Sequence, residues 1–220
     1  MAKPLFTDYA VTWTFVNPLC GSVPQDPEIV TKWLESRMPT SKPAEGRDLS
    51  EIQEEVLASL SEPDDAREVA LLGFQVQGPG LAVRGATIRA HLKDCARQLS
   101  RYVVGKVKGE SSFAVRVVNT VYVQDEWVPI MRPDGQQVAA PDGHIEKPFS
   151  AMTPRGPISA FKRFAYVEPT ALRFSLRVLG GAVTKDDLER IMQYGGLHGY
   201  AGERGMGYGR YVIERLEAVD

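Results

Sequence analysis

Cysteine and histidine are scarce in this sequence, with two and three copies in 220 residues. Cys20 and Cys95 form no Cys-x-x-Cys pair and have no histidine partners at ligand spacing, which excludes a disulfide framework and a zinc site; both read as core thiols. His91, His144 and His198 give no support for Ser-His-Asp catalysis. No uninterrupted apolar run approaches the roughly 18 residues of a membrane span. The opening Met-Ala-Lys-Pro also lacks the apolar stretch of a signal peptide, so no membrane contact is expected and the cytoplasm is the expected location. Gly-Lys-Ser/Thr is missing, which excludes a phosphate-cradling P-loop. Asp186 and Asp187 fall in the first turn of a helix, where its dipole accounts for them, so neither a metal nor a cofactor is expected.

What is present is the composition of an ordinary globular protein, 43% hydrophobic and 25% charged, long enough to bury a sizeable core in one domain. The formal net charge of −2 conceals a segregation. Residues 1–80 carry 6 Lys/Arg against 13 Asp/Glu, residues 81–180 carry 15 against 8, and residues 181–220 carry 5 against 7. A basic middle suits a polyanion on one face, with acidic surface elsewhere.

Periodicity supplies the elements. Residues 8–16 alternate, with Tyr9, Val11, Trp13 and Phe15 on one face, and read as a half-buried first strand. Helices over 26–38 and 48–61, separated by the Pro-rich 39–47, make the acidic stretch 20–66 an insertion after that strand. A strand over 69–76 and a Gly78-Pro79-Gly80 turn precede the longest helix, 86–103, whose apolar side is Ile88, Leu92, Cys95, Ala96, Leu99 and Tyr102. Its other side carries Arg89, Lys93, Arg97 and Arg101 every fourth residue; with Arg84 at the helix start, this stripe is expected to face phosphates. Residues 113–123 read as a strand with Val115, Val117, Asn119, Val121 and Val123 on one face. Residues 124–165 read as an excursion with Asp-Gly turns at 134–135 and 142–143 and an irregular 146–163. There Phe149, Met152 and Phe161 interleave with Lys147, Arg155, Lys162 and Arg163, a mixture that stacks bases and holds phosphates of a single strand. A strand over 170–179, a Thr184-capped helix over 184–194 and a strand over 208–216 complete a βαββαβ order, the ferredoxin-like or RRM-like α+β core with an antiparallel sheet.

The stretch from Gly195 to Arg210 holds seven glycines in sixteen residues. It lies after a helix and before a strand, the reverse of a dinucleotide-binding fingerprint. So many glycines let another backbone lie directly on the loop. This helix, Gly-rich loop and last strand resemble the C-terminal glycine-rich loop of the RAMP superfamily, the RNA-binding backbone and processing subunits of CRISPR effector complexes. Gly85-Ala86-Thr87-Ile88-Arg89 resembles the family's first-helix start that touches the RNA backbone, although Ala90-His91 departs from it. The resemblance implies one domain over 1–220, a thumb-like hairpin within 124–165, and single-stranded RNA or DNA as partner. It also implies self-association or other complex subunits, and a role in antiviral defence. Residues 146–157 also resemble uncharacterised phage and prophage proteins.

The expected nucleic-acid set is therefore Arg84, Thr87, Arg89, Lys93, Arg97 and Arg101 on the helix, and Arg155, Phe161, Lys162 and Arg163 on the excursion. From the loop come His198, Tyr200, Arg204, Tyr208 and Arg210, with Gly199, Gly202, Gly205, Gly207 and Gly209 allowing close approach. A non-catalytic binder is the expected function. The alternatives are a metal-independent endoribonuclease using His198, His91 or Tyr200, and an assembly protein that never meets nucleic acid.

Overall fold

Tyr9, Val11, Trp13 and Phe15 are all buried, as the alternation of the first strand requires, and the central sheet grows outward from them. The computed structural model describes residues 4–25, 70–102, 112–153 and 156–219. The expected helices over 26–38 and 48–61, and Pro39–Arg47 between them, lie outside the described residues. The first part of the chain gives β1 (Phe6–Phe15), β2 (Leu19–Cys20), β3 (Val23–Pro24), β4 (Ala70–Gly73), β5 (Gln75–Gln77) and β6 (Gly80–Arg84). Then follow α1 (Gly85–Tyr102), α2 (Phe113–Thr120), β7 (Val121–Val123), β8 (Trp127–Met131), β9 (Gly143–Thr153) and β10 (Gly156–Val167). β11 (Ala171–Leu179), α3 (Lys185–His198) and β12 (Tyr211–Val219) close the described chain.

The main sheet has the order β12-β1-β11-β8-β6-β5, with β7 also pairing β11, and every pairing in it is antiparallel. Reduced to its core, β12-β1-β11-β7/β8 is the strand order of the ferredoxin-like α+β fold, with the helices packed on one face. Trp13, Phe174 and Leu176 point to that face and meet Ile88, Leu92 and Met192 in one core. The opposite face is small and polar, with Ala10 beside Ser175 and Thr12 beside Arg173.

The expected strand over 113–123 is instead α2 followed by three residues of β7. Ser112 caps the helix by accepting from Val115 N–H at 3.3 Å. Phe113, Val117 and Val121 recur every fourth residue and are buried, while Val115 is 46% exposed. Tertiary packing on α1 overrides the β-propensity of the valines. The core strand that 113–123 was expected to supply is split between β7 and β8. Between them Gln124 N–H donates to Ser175 O at 2.9 Å, and Ser175 N–H donates to the Asp125 carboxylate at 2.6 Å. Residues 127–131, read as the start of an excursion, thus belong to the main sheet as β8.

A second sheet, β2-β10-β4-β3 with β9 on β10, was not expected as a sheet, although a hairpin within 124–165 was, and β9–β10 is a hairpin there. The single strand expected over 69–76 breaks at Phe74, so β4 joins the second sheet in parallel with β10 and β5 joins the first. The stretch 146–163, read as irregular, lies in the long β9–β10 hairpin, paired from Gly143↔Tyr166 to Thr153↔Gly156. Among the described residues, no helix is long and apolar enough to cross a membrane.

Candidate nucleic-acid interface

The capping box of α3 forms as the sequence predicts: Thr184 Oγ1 accepts from Asp187 N–H at 3.2 Å, and the Asp187 carboxylate accepts from Thr184 N–H at 3.0 Å. The helix then runs four residues beyond the expected end and takes in Gly195 and Gly196. A Cβ at Gly195 would overlap the Tyr211 hydroxyl, and one at Gly196 the Tyr211 carbonyl oxygen. The same test explains Gly199, Gly202 and Gly209, where a Cβ would overlap the carbonyl oxygens of Tyr208, Gly21 and Tyr200. What comes close to most of this glycine run is the protein's own backbone. Only Gly205 and Gly207, at the tip, face open space. The loop is tied to the β1–β2 connection by Gly209 N–H to Pro18 O at 3.0 Å, Gly202 N–H to Cys20 O at 3.1 Å and Arg210 N–H to Asn17 Oδ1 at 2.9 Å.

Held in this way, the loop closes against the start of α1. Thr87 Oγ1 and the Tyr200 hydroxyl are 2.7 Å apart, which joins the two stretches that carried the family resemblance. Between them opens a cleft of ≈ 450 Å³, within the range of ligand sites. Its apolar wall includes Phe74, Ala82, Val83 and Ala90. Its polar lining includes Arg84, Thr87, Asp94 and Arg204, with Ser22 and Gln75. Arg84 is exposed and lies over the Trp127 ring at 4.7 Å. Lys147 Nζ on β9 reaches Glu203 Oε2 at 2.8 Å, so the base of the long hairpin docks on the same loop. Ala201 and Glu203 both have left-handed backbone there, with φ of 66° and 52°.

The expected residues do not all meet at this cleft. Arg89 is committed elsewhere: its Nε and Nη2 donate to the carbonyls of Val121 and Val118, each at 3.0 Å, and its guanidinium stacks over Tyr122. It caps the end of α2. Asp94, Arg97 and Arg101 share a face of α1 at helical spacing, so the two exposed arginines continue from the cleft along the helix; Lys93 is half-buried beside them. Arg163 is paired with Glu146 at 2.8 Å, and Lys162 is half-buried on β10. Arg155 lies outside the described residues, as does the side chain of Phe161. Half-buried Tyr208 and exposed Arg210 stand in the loop away from the cleft lining.

The catalytic candidates separate clearly. His91 is buried among Trp13, Tyr200 and Tyr211, with Nε2 3.1 Å from the Tyr211 hydroxyl. Burial, reinforced by the charge of Arg204, pushes its pKa down to about 3. Such a ring is neutral near pH 7 and too weakly basic to serve well as a general base. Tyr200 is buried and its phenol is pushed well up for the same reason. Burial likewise raises the thiols of Cys20 and Cys95 to about 12, as their reading as core residues implies. His198 is half-exposed and not among the residues lining the cleft, stacked on Tyr194 at 5.7 Å and 3.8 Å from Asp94 Oδ2. Asp94, which was not among the expected residues, has Arg204 at 3.6 Å as well. Its only signal was an acidic residue interrupting a basic helix face.

No family model and no curated protein matches the sequence. Among solved structures, the chain is similar to one in a cryo-electron microscopy structure of the Type III-B Cmr-beta bound to cognate target RNA, with 7% identity and a TM-score of 0.45. The match covers 98% of this chain and 61% of that one, so this protein spans about three-fifths of that neighbour's length.

Proposed function

We propose that the protein is a non-catalytic binder of single-stranded RNA in the cytoplasm, working by self-association along the strand or beside other subunits. One observation carries the reading. The Thr87–Tyr200 hydrogen bond brings together two motifs 113 residues apart and sets Arg84 and Arg204 on one open cleft. Two cations from separate elements beside an apolar wall suit a chain that offers both phosphates and bases. Arg97 and Arg101 extend the same helix face, which gives a strand leaving the cleft further cations to follow.

The test is fluorescence anisotropy of a labelled single-stranded RNA, titrated with the full chain at increasing salt. Binding should weaken with a logarithmic slope of about −0.7 per phosphate neutralised. The double variant R84E/R204E should lose most of the affinity, and DNA of the same sequence reports how far the ribose hydroxyl contributes. Absence of binding at low salt would overturn the reading and leave the assembly role.

A second reading, a metal-independent endoribonuclease, draws on His198, which Asp94 and Tyr194 hold in a defined place. Cleavage that H198A abolishes while binding survives would favour it.

A further inference from the structure

Asp94 is an unexpected residue for a cleft that holds phosphates. Its carboxylate lies between Arg204 Nη1 at 3.6 Å and His198 Nε2 at 3.8 Å. Both are ion-pair separations longer than a hydrogen bond, and among the described residues Asp94 Oδ1 and Oδ2 accept no side-chain or backbone hydrogen bond. A half-exposed carboxylate repels phosphate and has acceptor capacity left over. The chemistry it fits is a pair of N–H donors.

An unstacked base supplies these, and the cleft offers the rest of its environment. Phe74, Ala82 and Ala90 are apolar lining residues against which a base can lie, while Arg84 and Thr87 also line the cleft and can meet its phosphate and sugar. Guanine is the base whose Watson–Crick edge carries two neighbouring donors, N1–H and the N2 amine, spaced for the two oxygens of one carboxylate. Its O6 lies beside them and accepts from a guanidinium, and Arg204 sits next to Asp94. Adenine and cytosine offer one amine next to a ring nitrogen that a carboxylate repels. Uracil offers one N–H between two carbonyls.

We propose that the cleft is a base pocket in which Asp94 and Arg204 together read the Watson–Crick edge of an unstacked guanine. The proposal rests on the RNA-binding reading above, and its test separates the two. The full chain is titrated against labelled oligouridine carrying one central guanosine, and against the same oligomer with inosine, adenosine, cytidine or uridine at that place. The guanosine oligomer should bind about tenfold more tightly than the all-uridine one, with inosine, which lacks the N2 amine, between them. D94A should weaken binding to the guanosine oligomer and strengthen binding to oligouridine, because it removes a base contact and a phosphate repulsion together. Equal binding of all oligomers by the unaltered protein, preference for another base, or a D94A that moves both affinities in the same direction overturns base reading while RNA binding stands. Failure of every oligomer to bind at low salt overturns both.

Discussion

Gly209 and Tyr200 lie back to back across the glycine-rich loop: Tyr200 N–H donates to Gly209 O at 2.8 Å, and a Cβ on Gly209 would overlap the Tyr200 carbonyl oxygen. Gly209 also has φ of 70°. G209A should therefore destabilise the fold by ~3 kcal/mol or more, combining a left-handed alanine with a backbone collision. Gly207 has φ of 82° but open space around it, so G207A should cost only ~1 kcal/mol. Gly205 has neither constraint, and G205A should stay within ~0.5 kcal/mol. Urea unfolding of the three variants checks the order. Equal losses would mean that the loop is not packed against itself in this way.

His91 gives stability a pH dependence with a defined sign. Its folded pKa lies near 3 against an ordinary value of 6.5, because burial disfavours the imidazolium. The unfolded chain binds the proton first, so this contribution is complete above 6.5 and is lost as pH falls from there toward 3. The slope from this group approaches ~1.4 kcal/mol per pH unit. H91Q keeps a polar group beside Tyr211 without titrating in that window. Its urea midpoint should start below that of the unaltered protein and converge with it as the pH drops. Parallel curves would place His91 in contact with water.

β1, α1 and the capped start of α3 were legible because their signals are local: alternation at Tyr9 to Phe15, a buried face from Ile88 to Leu99, and Thr184 with Asp187 three residues on. The density of glycine was legible too. Its cause was not, since it depends on where Tyr211, Tyr208 and Gly21 come to lie. α2 was misread because its valines favour strands, and what makes them helical is Ser112 at one end and Arg89 from another helix at the other. Arg84, Thr87 and Arg204, expected from pattern to meet nucleic acid, line one candidate cleft. Asp94 lines it too and was not expected there, because its pairing with Arg204 lies beyond any local window.

Glu203 tests the docking of the β9–β10 hairpin. It holds a left-handed backbone at φ of 52° and its carboxylate pairs with Lys147 at 2.8 Å, with side-chain exposures of 17% and 37%. E203Q keeps the strain and loses the charge pair, so it should lower stability by ~0.5–1 kcal/mol, with the difference shrinking as salt is added. E203N also loses the pair, but asparagine tolerates the left-handed region, so it should fall closer to the unaltered protein. Thermal unfolding at low and high salt compares them. If E203N proves the worse of the two, the backbone at this position contributes no strain.

Arg89 and the pair Arg97 and Arg101 look alike in the sequence and should behave oppositely. R89M removes two hydrogen bonds to the carbonyls of Val118 and Val121 and a cation–π contact with Tyr122, and should cost ~2–3 kcal/mol of stability. Below its unfolding temperature it should bind RNA with an unchanged salt slope, since its guanidinium is turned inward. R97E and R101E alter exposed positions and should leave stability within ~0.5 kcal/mol. Each should weaken RNA binding and lower the slope by about 0.7, the share of one phosphate contact on a single strand. The stability and salt-slope readouts thus separate a cation that holds α2 in place from cations that follow a nucleic acid. A salt slope that falls in R89M and stays constant in R97E and R101E would move the phosphate path off this face of α1.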